Sequence, residues 1–214
     1  MIGQKVDAQR SDFNPGMRHR MTHLAGFGLP RQRNFRRMTE RLELMIPERR
    51  IRARVAALAR RIDADYRDKP LGLVVVLKGA CVFAADLMRQ ITTPFTIDFI
   101  AAASYGAATR SSGKIALSGL DRLDLGGRHV LVVEDILDTG RTLTVVLDSL
   151  RKSGPASLAL CALLRKPAGA ALDLPVLYVG FDIPPDFVVG WGLDYAERYR
   201  NLRGVYRLIL DGEP

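Results

Sequence analysis

The sequence has 214 residues, of which 48% are hydrophobic and 26% are charged, and its formal net charge is +9. This balance is typical of a soluble globular protein, and the length suits one α/β domain rather than two full domains. No apolar run approaches the roughly 20 residues of a membrane-spanning helix, and the N-terminus lacks the apolar stretch of a secretory signal, so we expect a cytoplasmic protein without membrane contacts.

The positive charge is concentrated at the N-terminus. Residues 1–36 hold seven arginines or lysines and two aspartates, so this segment carries +5 of the net charge of +9. Glycine and proline interrupt it without a helical period, which favours a flexible arm over a docking surface for nucleic acid. An organelle-targeting segment is an alternative that the arginine bias alone does not establish. We therefore predict a basic arm at 1–36 and one domain at 37–214.

The segments after the arm alternate between strand and helix patterns. Residues 38–66 predict two helical stretches separated at Pro47. Strands are predicted at residues 73–77, 95–101, 130–133, 158–164 and 176–180, with a further one at 114–120 beyond a polar loop. Helices are predicted at residues 81–91 and 142–153. This alternation indicates βαβ units and an α/β fold with a twisted, mainly parallel sheet flanked by helices.

The cysteines and histidines do not indicate a disulfide framework or a metal site. Cys81 follows a strand-like run and Cys161 lies inside another, so both are predicted to be buried as small apolar residues, which suits a reducing compartment. The three histidines show no spacing typical of metal ligands.

Two adjacent carboxylates, Glu134 and Asp135, follow the apolar strand at 130–133. In an open parallel sheet, ligands bind at the carboxyl ends of the strands. These side chains are therefore predicted to lie at the edge where a ligand would bind.

A turn of small and hydroxylated residues comes next and precedes a helix. The free amides at the helix start, the hydroxyls of Thr139 and Thr142 and the missing side chain of Gly140 would form a phosphate cradle. Arg141 would add positive charge beside it. The turn therefore predicts a binding site for a phosphorylated ligand.

Paired carboxylates beside a phosphate cradle would repel a simple anion. They are compatible with a ligand that also offers hydroxyls and a metal ion, such as a phosphorylated ribose that carries pyrophosphate and Mg²⁺, with its diol facing Glu134 and Asp135. The alternative is that these acids only solvate a strand end and cap a helix. The Asp-Thr-Gly-Arg-Thr sequence that follows, at residues 138–142, favours the ligand site.

The segment 130–142 resembles the phosphoribosyl pyrophosphate signature of the type I phosphoribosyltransferases. Asp138 makes it similar to the hypoxanthine-guanine branch, in which the matching aspartate handles a proton of the purine imidazole ring. Pyrimidine-operon regulators of the same fold usually have an apolar residue at this position. The resemblance covers roughly residues 38–210 and implies a small hood formed by the N- and C-terminal parts of the domain.

Two further segments match family loops that contact phosphoribosyl pyrophosphate. Lys78 and Gly79 lie between a strand and a helix, like the family's pyrophosphate loop, in which the peptide before the lysine is often cis. Ser104 and Tyr105 open a polar stretch that resembles the family's mobile lid, which would exclude water during the reaction.

The resemblance also implies a purine subsite and a metal ligand near the C-terminus. Lys166 matches the lysine that meets the 6-oxo group, and a fixed ammonium would disfavour the amino group of adenine. Phe187 would stack on the base, and Val188 would offer main-chain groups to it. Asp194 would join Glu134 and Asp135 in holding Mg²⁺, and Arg200 would contact pyrophosphate.

These features predict a purine salvage enzyme that converts phosphoribosyl pyrophosphate and hypoxanthine or guanine into a nucleoside monophosphate and pyrophosphate. One alternative is a regulator of the same fold that binds nucleotides or RNA. The other is a phosphoribosyltransferase that prefers xanthine or a pyrimidine. Asp138 argues against a regulator, because a sensor needs no group that handles a proton. We expect Mg²⁺ as cofactor, no nucleic-acid partner, and a homodimer or homotetramer.

Overall fold

The computed structural model describes residues 39–104, 115–171 and 173–211. The strands are β1 (Thr39–Pro47), β2 (Leu71–Leu77), β3 (Phe95–Ser104), β4 (Ile115–Ser118), β5 (His129–Leu137), β6 (Ser157–Arg165), β7 (Val176–Asp182), β8 (Val188–Val189) and β9 (Gly204–Asp211). The helices are α1 (Glu48–Asp65), α2 (Cys81–Met88), α3 (Arg141–Arg151) and α4 (Pro167–Ala170), with a 3₁₀ turn at Leu120–Arg122.

Six strands form the main sheet in the order β4-β3-β2-β5-β6-β7. All neighbours are parallel except β3 and β4, which are antiparallel. The central strands β2 and β5 are continuous apolar runs because both faces of the sheet are covered. One core contains the buried residues of α1 and α2, and a second core on the opposite face contains those of α3. The predicted α/β architecture is confirmed.

A separate three-stranded antiparallel sheet has the order β1-β9-β8 and forms the hood. The prediction of a helix before Pro47 was wrong, because residues 39–47 form β1, which pairs with β9 along most of its length. Its partners lie more than 150 residues further along the chain, so this pairing overrides the local helical pattern. The predicted break at Pro47 is confirmed, since α1 starts at Glu48.

The predicted burial of the cysteines is half right. Cys161 is fully buried in β6, whereas Cys81 is exposed because it starts α2 on a side that the core does not cover. The predicted arm at 1–36 and most of the predicted lid, residues 105–114, lie outside the described residues. None of the helices in the described ranges is long and apolar enough to cross a bilayer.

The core against β5 should dominate stability, because this strand lies at the centre of the main sheet. Leu131 is fully buried on β5, and its replacement by alanine leaves a cavity that costs about 2–5 kcal/mol. We expect Leu131→Ala to lower the free energy of unfolding by that amount in urea titrations. Leu177→Ala is the matched control, since Leu177 on β7 is 50% exposed and should lose less than about 1 kcal/mol. Equal losses of unfolding free energy in Leu131→Ala and Leu177→Ala would contradict this account of the core.

Candidate active site

The four residues predicted to form a phosphate cradle line one cavity at the junction of β5 and α3. Gly140 has φ of 68° directly before α3, a left-handed conformation that a glycine adopts without steric cost. Its carbonyl accepts a hydrogen bond from the Thr144 amide at 2.9 Å, which starts the helix. A cavity of about 100 Å³ lies at this turn. It is lined by Glu134, Ile136, Asp138, Thr139, Gly140, Arg141, Thr142 and Leu143.

The electrostatics of this cavity suit a phosphate. The first amides of α3 have no partner within the helix, and the helix dipole places partial positive charge at this end. Thr139 and Arg141 are exposed, so their polar groups are accessible to a ligand. The structure therefore brings together all four of the residues that the sequence predicted for this cradle.

Burial makes the carboxyls of Glu134 and Asp135 harder to ionise than those of exposed acids. Burial, followed by repulsion from Asp135, raises the pKa of Glu134 well above its usual value. Burial likewise raises the pKa of Asp135 to about 6, although a hydrogen bond from the Ile136 amide at 2.8 Å opposes this shift. Glu134 Oε2 is buried without a hydrogen-bond partner among the residues that the structure describes. A bound hydroxyl or cation would satisfy this oxygen.

Two glycines let the loop after β2 pack closely against two other segments. A β-carbon on Gly79 would lie 1.6 Å from Asp135 Oδ2, so only glycine lets the loop after β2 approach this carboxylate. A β-carbon on Gly192 would lie 2.1 Å from the Gly79 carbonyl oxygen, and φ of Gly192 is 103°. The loop after β2, the end of β5 and the segment after β8 are therefore in direct contact.

The predicted pyrophosphate residues lie in an ion-pair network. Lys78 follows a cis peptide bond, as the resemblance implied, and its Nζ lies 3.0 Å from Glu197 Oε1. Arg200 lies 2.8 Å from Asp194 Oδ1 and 3.2 Å from Glu197 Oε2. Hydrogen bonds from Lys78 and then Arg200 lower the pKa of Glu197. The two predicted cations thus share one carboxylate.

A second cavity of about 260 Å³ lies beside the cradle and is lined by the residues predicted to contact the purine. We call it the purine cavity after this prediction. Lys166 and Asp138 both line this cavity and form an ion pair, with Lys166 Nζ 2.9 Å from Asp138 Oδ2. Phe187 is 52% exposed, which is unusual for a large aromatic side chain and leaves its ring available for stacking. The cavity is lined by Asp135, Ile136, Asp138, Lys166, Phe187, Val188, Leu193 and Asp194.

The hood supports the purine cavity through its backbone. Val188 is buried in β8 and pairs with Arg207 of β9. The carbonyl of Phe187 accepts a hydrogen bond from the Leu208 amide at 2.9 Å. Asp186, directly before Phe187, accepts a hydrogen bond from Arg207 at 2.7 Å. These contacts fix the main chain at the residues predicted to meet the base.

The remaining predicted residues fall at the limits of the described chain. Ser104 is the last residue of β3, and Tyr105 lies outside the described residues. The described part of the chain has no cluster of three or more His, Cys, Asp or Glu side chains arranged as a preformed metal site. Of the three acids predicted to hold a metal, Asp135 and Asp194 border the purine cavity, and Glu134 borders the cradle.

Sequence reasoning missed several residues of the site. Glu197 was not selected, although its position between Asp194 and Arg200 was a usable signal. Gly192 was also missed, because its approach to Gly79 depends on tertiary packing. Ile136 and Leu193 line the purine cavity, and their apolar character offered no signal.

Known proteins are similar to this chain over most of its length. Residues 46–198 match the phosphoribosyl transferase domain. Hypoxanthine phosphoribosyltransferase of Salmonella typhimurium is 45% identical over 176 residues, which cover 81% of this chain and 98% of that protein. Hypoxanthine-guanine phosphoribosyltransferase of Mycobacterium tuberculosis is 47% identical over 166 residues, which cover 74% of this chain and 82% of that protein.

The fold is also similar to that of a solved enzyme. The crystal structure of a hypoxanthine-guanine phosphoribosyltransferase from Bacillus anthracis aligns with a TM-score of 0.72 and 39% sequence identity. The alignment covers 80% of this chain and 99% of that chain. With the cradle, the paired acids and the purine cavity on adjacent elements, this chain belongs to the hypoxanthine-guanine branch of the phosphoribosyltransferase family.

Proposed function

We propose that the chain transfers the 5-phosphoribosyl group from phosphoribosyl pyrophosphate to hypoxanthine or guanine and so forms a nucleoside monophosphate and pyrophosphate. One observation carries this proposal: Asp138 lines both the phosphate cradle and the purine cavity. A sugar phosphate in the first cavity and a base in the second would therefore meet beside Asp138. The similar protein from S. typhimurium is named a hypoxanthine phosphoribosyltransferase, and the one from M. tuberculosis is named a hypoxanthine-guanine phosphoribosyltransferase. Both names support this substrate class.

The cradle at residues 139–142 holds the 5′-phosphate. Its helix amides, the hydroxyls of Thr139 and Thr142 and the guanidinium of Arg141 provide donors and positive charge, while Gly140 leaves room for the phosphate oxygens. These groups are fixed before the substrate arrives, so little reorganisation is needed on binding.

The purine lies between Lys166 and Phe187. The Lys166 ammonium donates a hydrogen bond to the 6-oxo group, and the exposed ring of Phe187 stacks on the base. The main-chain groups of Val188 meet the far edge of the purine. An adenine amino group in the same place would face the Lys166 donor without an acceptor, which disfavours adenine.

The acids at the end of β5 would hold the ribose and a Mg²⁺ ion. The unpaired buried oxygen of Glu134 and the raised pKa of Asp135 fit groups that lose their protons when a diol and a cation bind. Asp194 adds a third carboxylate on the hood side, where Arg200 now neutralises it. The carboxylate oxygens are ligands that Mg²⁺ prefers, and the bound ion would neutralise charge on the leaving pyrophosphate.

The residues of the chain position the reactants and handle one proton. N9 of the purine forms a bond to C1′ of the ribose while the bond from C1′ to the pyrophosphate oxygen breaks, and the pyrophosphate leaves with the bonding electrons. Asp138 accepts the proton that the imidazole ring releases. Lys78, Gly79 and Arg200 bind the pyrophosphate, and Ser104 precedes the segment for which the sequence predicts a lid that excludes water.

Two broader features of the protein belong to the same proposal. The basic segment 1–36 precedes the phosphoribosyltransferase domain at 37–214. The proposal also includes assembly of the chain as a homodimer or homotetramer.

A base panel tests the substrate assignment. Wild-type protein should use hypoxanthine and guanine in preference to adenine and uracil, with xanthine included in the panel. Lys166→Ala should lower kcat/KM for hypoxanthine about ten- to a hundredfold, because it removes a charged hydrogen-bond donor to the oxo group. Lys152→Ala, at the exposed end of α3, is the control. A wild-type preference for adenine or uracil would refute the assignment.

Asp138→Asn tests the proton-handling role. Asparagine keeps the size of the side chain but cannot accept the proton, so kcat should fall about a hundredfold or more. Binding of phosphoribosyl pyrophosphate, measured by calorimetry, should change much less. Asp148→Asn removes an exposed carboxylate from α3 and should keep wild-type kcat. Undiminished turnover in Asp138→Asn would remove Asp138 from this role.

The raised pKa of Asp135 predicts a pH dependence of stability without ligand. Because the folded-state pKa of about 6 exceeds the usual value near 3.8, the protonated carboxyl stabilises the fold at low pH, and this contribution is lost as the pH rises through 6. Asp135→Asn should therefore have its largest gain in Tm over wild type at pH 7.5 and a smaller gain at pH 5. A gain that does not depend on pH would contradict the raised pKa.

A further inference from the structure

One exposed carboxylate bridges the two cations assigned to pyrophosphate. Glu197 Oε1 lies 3.0 Å from Lys78 Nζ, and Glu197 Oε2 lies 3.2 Å from Arg200 Nη2. Each oxygen of the carboxylate therefore contacts a different cation. A pyrophosphate bound to Lys78 and Arg200 would need to place its own oxygens at these same positions.

The backbone presents Glu197 in an uncommon conformation. Its φ is 63°, and its neighbours Ala196 and Tyr199 also have positive φ values, which are uncommon for residues other than glycine. The Glu197 amide donates a hydrogen bond to Asp194 Oδ2 at 2.8 Å. Such conformations persist where surrounding contacts fix them, and they occur often at ligand clamps.

A second set of contacts fixes the same turn. Tyr195 and Arg198 exchange main-chain hydrogen bonds of 3.2 and 3.0 Å across it. Arg198 and Tyr199 both donate hydrogen bonds to Glu40 of β1. The turn is thus closed by its own main chain and attached to the hood by the two residues that follow Glu197, so the Glu197 carboxylate is held close to Lys78.

The contact between Glu197 and Lys78 is not explained by stability. Their side chains are 67% and 69% exposed, and ion pairs this exposed contribute little to folding. The Glu197 side chain points into solvent apart from its two cations, so it can rotate away when another anion arrives. Because this ion pair adds little stability, the uncommon backbone conformation that positions Glu197 must serve another purpose.

We propose that Glu197 is a counter-ion that the ligand displaces: its carboxylate contacts both Lys78 and Arg200, and the pyrophosphate group of the substrate takes its place. This inference rests on the proposed function, because it assumes that these two cations bind pyrophosphate. Arg200 is also held by Asp194 and by the Gly192 carbonyl, each at 2.8 Å, so the contribution of Glu197 is to link Lys78 to Arg200 and to make each ligand compete with an attached carboxylate. A ligand that offers several oxygens to both cations competes best with the Glu197 carboxylate, whereas a small monoanion competes less well.

Glu197→Gln tests this competition directly. The amide keeps the shape of the side chain but removes its charge, so pyrophosphate should bind about two- to fivefold more tightly, on the scale of an exposed ion pair. Calorimetry with inorganic pyrophosphate in buffer containing Mg²⁺ measures this change. KM for phosphoribosyl pyrophosphate should fall by a similar factor, and KM for hypoxanthine should stay the same. Both differences should shrink at high salt.

Two further variants complete the test. Glu197→Asp keeps the charge and tolerates positive φ, but its shorter side chain cannot reach both cations, so its affinity should lie between those of wild type and Glu197→Gln. Asp148→Asn removes an equal charge from an ion pair on α3 and should leave pyrophosphate affinity at the wild-type value.

The outcomes separate this inference from the proposed function. Unchanged or weaker pyrophosphate binding in Glu197→Gln, with wild-type protein active on hypoxanthine, would overturn the role of Glu197 alone. Equal gains in Asp148→Asn and Glu197→Gln would also overturn it, because net charge would then explain the effect. A wild-type protein without phosphoribosyltransferase activity would instead overturn the proposed function.

Discussion

The site depends on the close contact of three chain segments at the carboxyl edge of the main sheet. The Asp135 carboxylate lies where a β-carbon of residue 79 would be, and the Gly79 carbonyl lies where a β-carbon of residue 192 would be. A side chain at residue 79 would displace the Asp135 carboxylate, and one at residue 192 would clash with the main chain of the loop after β2. This packing places Lys78 and Arg200 on either side of the Glu197 carboxylate.

The ligand-free site holds its charges in arrangements that a substrate would change. The buried acids of β5 have raised pKa values because burial disfavours their charged forms. Lys166 is paired with Asp138, and Lys78 with Glu197. A substrate that binds to these cations would replace their carboxylate partners with its own oxygens. The same acids would gain partners when a cation and a diol bind.

The sequence by itself determined the features that depend on neighbouring residues. The apolar strand, the paired acids, Gly140 and the helix start follow one another within residues 130–142. The chain order therefore places Glu134, Gly140 and the helix start around one cavity and Asp135 at the neighbouring one. The alternation of apolar strands and helices likewise predicted the parallel sheet. Such local patterns are reliable because the backbone conformation of each short segment depends mainly on its own residues.

Only the tertiary structure decided the contacts between distant segments. β1 reads as a helix in isolation and becomes a strand because β9 pairs with it, and the exposure of Cys81 depends on which side of α2 the core covers. Lys78 and Glu197 are 119 residues apart, and their contact depends on how the hood packs on the main sheet. The pattern of side chains along the chain does not predict such pairings, because they depend on how distant elements pack together.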